Sequence, residues 1–234
     1  MTVEFIKNKL YQVGGSVRDG FLGLKSKDID FTVVTESFDS MREFIVNDLG
    51  GKIFVETPKF LTIRAITPEF GAADFVMARK DGEYFDGRHP EKVEPGTILD
   101  DLARRDFTMN AIAFDVRSKE FIDPFNGAYD IKIKMIRAVG DPNVRLTEDK
   151  LRAFRALRFA VTKDFRIDWK LQLAMVRLKI GDFDSTSTER IREELLRMFS
   201  KDTLKSLTLL AEFDNLRSVA FQRGIWLKPT TEER

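Results

Sequence analysis

The feature that most limits how this chain can fold is a change of patterning near residue 140. Before it, short runs of β-branched and aromatic residues alternate with glycine-containing turns. After Asp141-Pro142 the apolar residues recur at helical spacing with little β signal. A chain of 234 residues is long for one compact domain and comfortable for two unequal ones. The expectation is therefore an α+β class: an α/β head over residues 1–140 and an all-helical unit over 141–234.

In the head, strands are expected at 3–6 and 11–13 around an Asn-Lys turn, then at 29–34, 52–55, 61–66 and 73–77. A helix is expected over 37–49, capped by Ser37 or Asp39 and stopped by Gly50-Gly51. A polar loop follows over 79–96, then a helical turn over 99–105, a hairpin of 111–116 with 120–122, and a last strand at 134–138. In the second part, Thr147 is placed to cap a helix running through Val161, with Glu148 and Asp149 in its first turn. Asp168 caps the next, to about Lys179. Thr186 and Glu189 have capping-box spacing and open a helix to Phe199, and another is expected over 204–213.

Composition narrows the chemistry. Lys plus Arg (39) and Asp plus Glu (38) leave a net charge of +1, so any RNA-binding surface must come from local segregation of charge. There is no cysteine, which excludes disulfides and Cys-based zinc sites. The single histidine, His89, excludes multi-His metal sites. Chemistry must rest on carboxylates, basic groups and glycines. No apolar run approaches a signal peptide or a membrane span, so a soluble, cytoplasmic protein without a membrane partner is expected.

Two constellations stand out. Gly14-Gly15-Ser16-Val17-Arg18-Asp19 lies between a strand and a short helix. Adjacent glycines let backbone N–H groups approach an anion, and the Arg18 fork suits phosphate oxygens. A plain turn with a surface Arg-Asp pair is the bland alternative. About ten residues on, Asp28-Ile29-Asp30 opens a strand, and alternation puts both carboxylates on one face. Two close carboxylates repel unless a cation sits between them, and Mg²⁺ takes one or two carboxylates plus substrate phosphates. Two solvated acids at a strand start is the alternative. Together the two elements form the pairing that two-metal phosphoryl transfer requires. Asp74 is a candidate third carboxylate, or an ordinary acid at a strand start.

At this point the sequence resembles a known family. GGSVRDGFLG with KDIDF looks like the signature of the class II tRNA nucleotidyltransferases and bacterial poly(A) polymerases, of the polymerase-β-like superfamily. RRDFTMNA (104–111), DPFNGAYDIKIKMIRAVGDP (123–142), TEDKLRAFRALRFA (147–160) and TERIREELLRMF (188–199) are similar to four further motifs, in family order. The resemblance implies a nucleotidyltransferase head with a mixed β-sheet and a helical neck and body. It implies that Asp28 and Asp30 hold two catalytic Mg²⁺ ions, with Arg18 supporting catalysis. Gly14, Gly15, Ser16, Arg18 and Asp19 would handle the triphosphate, and Arg105, Asp106 and Asn110 the ribose and phosphates. Asp149 and Arg152 would read the base edge as a protein template, supported by Arg155 and Arg158.

The residues have their own reading. Asp149 and Arg152 are three apart on the expected helix and so neighbours on one face, an acceptor beside a donor fork, or an ordinary ion pair. Arg152, Arg155 and Arg158 with Arg145 and Lys150 form the densest basic stretch, while Phe154 and Phe159 read as core. Asp100 and Asp101 are placed to balance Arg104 and Arg105. The 81–96 loop resembles the flexible loop of enzymes that add a whole CCA end, which implies CCA or terminal-A addition to tRNA from CTP and ATP. The rival readings are a poly(A) polymerase, transfer to another acceptor, and an inactive RNA- or nucleotide-binding module. The family continues beyond its fifth motif into RNA-gripping helices. Only 35 residues follow Phe199 here, so a shortened body is expected, with a compact enzyme, an oligomer or a fragment all compatible.

Overall fold

The computed structural model describes residues 8–26, 29–81 and 93–225. The run 3–6, Asp28 and the middle of the 79–96 loop, with Arg88 and His89, lie outside the described residues. The chain divides into two compact units between Ile133 and Lys134.

The first unit is built on a seven-stranded sheet. Its strands are β1 (Lys9–Val13), β2 (Ile29–Val34), β3 (Lys52–Thr57), β4 (Thr62–Thr67), β5 (Gly71–Met77), β8 (Ala113–Asp115) and β9 (Phe121–Ile122). Their order is β3-β4-β5-β2-β1-β8-β9. The pairs are antiparallel except β2 with β5, which is parallel, so the sheet is mixed. The crossover that a parallel pair demands is supplied by α2 (Phe38–Glu43), a π-helical segment Phe44–Asp48, and the β3–β4 hairpin. Ser37 caps α2 by accepting from Ser40 N at 3.0 Å. One face of the sheet packs Phe31, Val33, Ile63, Ala65, Phe75 and Met77 with Met41 and Ile45. The Phe31 and Phe75 rings stack there at 5.2 Å.

Alternation sends the remaining residues to the opposite face. One register row there reads Val55, Arg64, Asp74, Asp30 and Val13 across β3, β4, β5, β2 and β1. The unit also contains α1 (Gly15–Phe21), α3 (Ile98–Ala103) and α4 (Gly127–Lys132). The 79–96 segment is not loop throughout. Its ends pair as β6 (Arg79–Asp81) with β7 (Val93–Pro95), a ribbon the polar composition conceals.

The second unit holds α5 (Pro142–Glu148), α6 (Leu151–Thr162), α7 (Trp169–Val176), α8 (Thr188–Lys201), α9 (Thr203–Ala211) and α10 (Asp214–Gln222). It is not purely helical: β10 (Met135–Ile136) pairs in parallel with β11 (Arg166–Ile167). That pairing ties residues 134–138 to this unit and explains why the division falls before residue 140. Asp168 caps α7 as expected, accepting from Lys170 N at 3.1 Å. The cap of α8 is Ser187 rather than Thr186, with Ser187 Oγ accepting from Arg190 N at 3.3 Å.

The expected helix from Thr147 through Val161 is instead two helices. Asp141 caps α5, with Pro142 in its first turn, and Thr147 lies inside that helix. Asp149 is extended (φ −149°, ψ 106°), and its carboxylate accepts from Leu151 N at 3.0 Å. An Asx side chain that bonds the backbone two residues on competes with the helical ladder, and here it wins. α6 buries Leu151, Phe154, Leu157, Phe159 and Val161, and Phe154 meets Phe183 edge-on at 5.6 Å. Among the described residues, no helix is long and apolar enough to cross a membrane.

Candidate active site

The site in the first unit begins where β1 ends. Gly14 has φ +71° and ψ −133°, backbone open in practice only to glycine. A Cβ there would lie 3.1 Å from Arg105 Nη1 and 3.5 Å from Asp30 Oδ2. The glycine turn, the arginine of the second motif and the carboxylate at the start of β2 thus converge on one point. Gly15 opens α1, and Ser16 Oγ donates to Val13 O at 3.1 Å, fastening the helix to the strand.

Arg18 is buried beneath this turn. Its Nη1 donates to Asn110 Oδ1 at 2.6 Å, 92 residues away in sequence, and its Nε and Nη2 donate to Asp19 Oδ1 at 3.0 and 2.9 Å. Asn110 Nδ2 donates in turn to Asp106 Oδ1 at 2.9 Å. The same oxygen accepts from Phe107 N at 2.8 Å. Arg18, Asp19, Asp106 and Asn110 therefore form one network joining the first two sequence motifs. The third motif is fastened on as well: Thr108 Oγ1 donates to Asp130 Oδ2 at 2.7 Å. Gly127 sits so close that a Cβ would come 2.1 Å from Thr108 O.

Sequence reasoning gave Asp101 only the role of a balancing charge. Ile98, Asp101 and Leu102 form the buried face of α3, so its carboxylate is fully enclosed. Arg104 Nε and Nη2 donate to Oδ1 at 3.1 and 2.5 Å. Arg105 Nε and Nη2 donate to Oδ2 at 3.2 and 2.9 Å, and Thr32 Oγ1 of β2 adds a third bond to Oδ2 at 3.1 Å. Burial by itself pushes the Asp101 carboxyl up, but the Arg105 and Arg104 guanidinium groups outweigh it and hold the pKa at about 2. The neighbouring Asp100 serves elsewhere, in a capping box with Thr97. The spacing of Asp101 to Arg104 and Arg105 was the available signal for the pair. Its place on the Ile98–Leu102 stripe was the signal for burial.

As a metal site the donor chemistry fits: carboxylate oxygens are the hard ligands Mg²⁺ prefers. Asp30 stands in register beside Asp74. Arg64, however, forks onto Asp74 at 2.5 and 3.0 Å. Among the described residues no three acidic or histidine side chains gather closely enough to hold an ion. The D-x-D partner Asp28 lies outside them.

The second unit carries the other candidate residues. Asp149 and Arg152 do not pair with each other. Arg190 of α8 donates to Asp149 Oδ2 at 3.0 Å. Arg152 Nη1 donates to Glu148 Oε2 at 2.7 Å and to Arg145 O at 3.0 Å, and Arg145 closes on Glu148 at 2.6 Å. The helix break is the cause, since it removes the three-residue spacing from a common helix face. Arg158 donates to the buried Glu194 and lies 3.8 Å over the Phe159 ring, and Arg155 approaches Glu194 at 3.7 Å. Partial burial pulls the Lys150 ammonium below the usual lysine range, against the pull of Asp182 and Asp149. Arg190 and Glu194 were missed because their partners are distant in sequence, Asp149 at the break before α6 and Arg155 and Arg158 on α6.

Comparison with known proteins places these features in context. The model of the poly A polymerase head domain matches residues 10–137. A CCA-adding enzyme of Listeria innocua is 35% identical over 236 residues, covering 95% of this chain and 58% of that protein. The solved structure of the Bacillus stearothermophilus CCA-adding enzyme in complex with CTP aligns with a TM-score of 0.73 at 31% identity, over 88% of this chain and 48% of that one. A tRNA nucleotidyltransferase complexed with a primer tRNA and an incoming ATP analog aligns with a TM-score of 0.73 at 29% identity, over 91% and 59%. The chain spans about half the length of the relatives it matches.

Proposed function

Because this chain belongs to the poly A polymerase head domain family, we propose that it is a template-independent nucleotidyltransferase that adds CCA, or its terminal A, to the 3′ end of tRNA from CTP and ATP. The observation that carries this reading is the convergence of Gly14, Asp30 and Arg105, backed by the Arg18–Asn110–Asp106 network. A plain surface turn has no use for a buried arginine wired to a motif 92 residues away. The relatives that bind CTP, an ATP analog and primer tRNA support the choice of substrates.

In the reaction, the RNA 3′-oxygen forms a bond to the α-phosphorus, and the bond from that phosphorus to the pyrophosphate oxygen breaks. Asp28 and Asp30 would hold two Mg²⁺ ions, which when bound activate the attacking hydroxyl and neutralise the leaving group. The Gly14–Gly15 turn and Ser16 bring backbone N–H groups to the triphosphate. Arg18, Asp19, Arg105, Asp106 and Asn110 hold a rigid donor and acceptor array against its phosphates and ribose. Asp149 and Arg152 read the base edge, with Arg155 and Arg158 supporting them. Asp74 is a reserve carboxylate whose partner is Arg64. No residue forms a covalent intermediate, so rate comes from positioning and charge.

The test is to incubate the full chain with Mg²⁺, labelled CTP and ATP, and tRNA lacking its CCA end. Three added residues, or one on tRNA ending in CC, is the expected product. A long A ladder would assign a poly(A) polymerase instead, and no extension by the wild type would leave a nucleotide- or RNA-binding module. Asp30→Asn should abolish extension while leaving the circular dichroism spectrum unchanged.

A further inference from the structure

We propose that Asp101 is a positioning residue for nucleotide binding: it holds the Arg105 guanidinium at the glycine turn. The inference rests on the proposed nucleotide site. It adds to that site a residue that never touches the ligand.

An arginine side chain has four rotatable bonds, and ordering it costs entropy at the moment of binding unless the protein has already fixed it. Arg105 is fixed. Its Nε and Nη2 both rest on Asp101 Oδ2, which leaves Nη1 to point onward. That Nη1 reaches Asn110 O at 3.3 Å and lies 3.1 Å from where a Gly14 Cβ would be, the point also approached by Asp30. The fork therefore divides the guanidinium into a buried, anchored edge and an edge presented to the turn. Arg105 retains 21% side-chain exposure while Asp101 has none.

The anchor is itself held from two sides. Thr32 ties Asp101 to β2, two residues beyond Asp30 on the same face of that strand. Arg104 occupies the other carboxylate oxygen. A purely structural pair would need no such division, since Arg104 alone supplies a counter-charge. A buried carboxylate with two arginines, of which one is directed into the proposed site, is the arrangement expected of a preorganised phosphate or ribose donor.

The experiment measures ATP and CTP affinity, with Mg²⁺ and without RNA, for wild type, Asp101→Asn, Arg105→Ala, the double variant and Arg104→Gln. Asp101→Asn should weaken both nucleotides about tenfold, leave the CTP/ATP ratio unchanged, and weaken nothing further when added to Arg105→Ala. Arg104→Gln, which disturbs the same carboxylate without touching the presented arm, should stay within about twofold of wild type. Unchanged affinity in Asp101→Asn, or additive losses in the double variant, would overturn the inference and leave the nucleotide site standing. Wild-type protein with no affinity for either nucleotide would overturn both. Should Asp101→Asn fail to fold, Arg105→Lys carries the test. An ammonium cannot span the carboxylate and the turn, so its affinity should match that of Arg105→Ala. Wild-type affinity in Arg105→Lys would refute the positioning role.

Discussion

Replacing Gly14 with alanine tests the geometry of the site at its narrowest point. Gly14 combines φ +71° with ψ −133°, a region that costs a residue with a side chain about 1–3 kcal/mol. The added Cβ would also stand 3.1 Å from Arg105 Nη1, so the guanidinium must retreat by a few tenths of an ångström from its place at the turn. The two effects together should destabilise the protein by about 2–3 kcal/mol, or roughly 4–12 °C in melting midpoint. Nucleotide affinity should fall as well, because the displaced group is the one proposed to meet the ligand. Gly20→Ala is the matched control. Gly20 lies on the exposed side of α1, a Cβ added there would meet no atom within 4 Å, and its backbone is not left-handed. There alanine should stabilise by about 0.5–1 kcal/mol. The assay is urea unfolding followed by circular dichroism, alongside ATP binding. Equal effects of the two substitutions, or a Gly14→Ala protein with full stability and affinity, would refute the reasoning.

Three further outcomes follow from the structure. The Asp101 carboxyl sits at about 2 in the folded protein against an ordinary 3.8, so its contribution is fully present above pH 3.8 and lost as pH falls through about 2. That loss is about 2 kcal/mol, and the urea-unfolding free energy should fall between pH 5 and pH 2 by about that much more in wild type than in Asp101→Asn. Gly127→Ala would drive a methyl group to 2.1 Å from a backbone oxygen, and should cost ~3 kcal/mol or more in unfolding free energy. A loss under about 1 kcal/mol would mean that α4 yields readily. Asp149→Ala should relax the choice between CTP and ATP more than it weakens triphosphate binding, as competition incorporation assays can measure; unchanged discrimination would remove Asp149 from base reading.

Much of the head was legible because its signals are local. The alternation in IDFTVV, the cap at Ser37 and the glycine before α1 each act within a few residues, as does the Asp168 cap in the second unit. The motifs named Arg18, Asp106 and Asn110, but nothing in their spacing stated that Arg18 would donate to Asn110. Tertiary wiring has no local signature. The misses have physical reasons. The helix break at Asp149 lacks glycine or proline and depends on a side chain capturing Leu151 N. A strand over 134–138 was expected and β10 lies within it, but its partner β11 has two residues, too few for a period to register. Asp101 sits in a run, DDLARRD, that reads as solvated charge until Ile98 and Leu102 are seen to share its face.

The corner at Asp149 sets how the proposed base reader can vary. A side chain in mid-helix is aimed by the helix axis, and re-aiming it means moving the helix. Asp149 is aimed by two backbone torsions and a grip from Arg190. One oxygen is held by Leu151 N and the other by Arg190, so the acceptor is aimed by the same bond that starts α6 and by one grip from α8. A change at Arg190 would therefore re-aim the proposed base reader from a neighbouring helix, without altering the turn that ends α5.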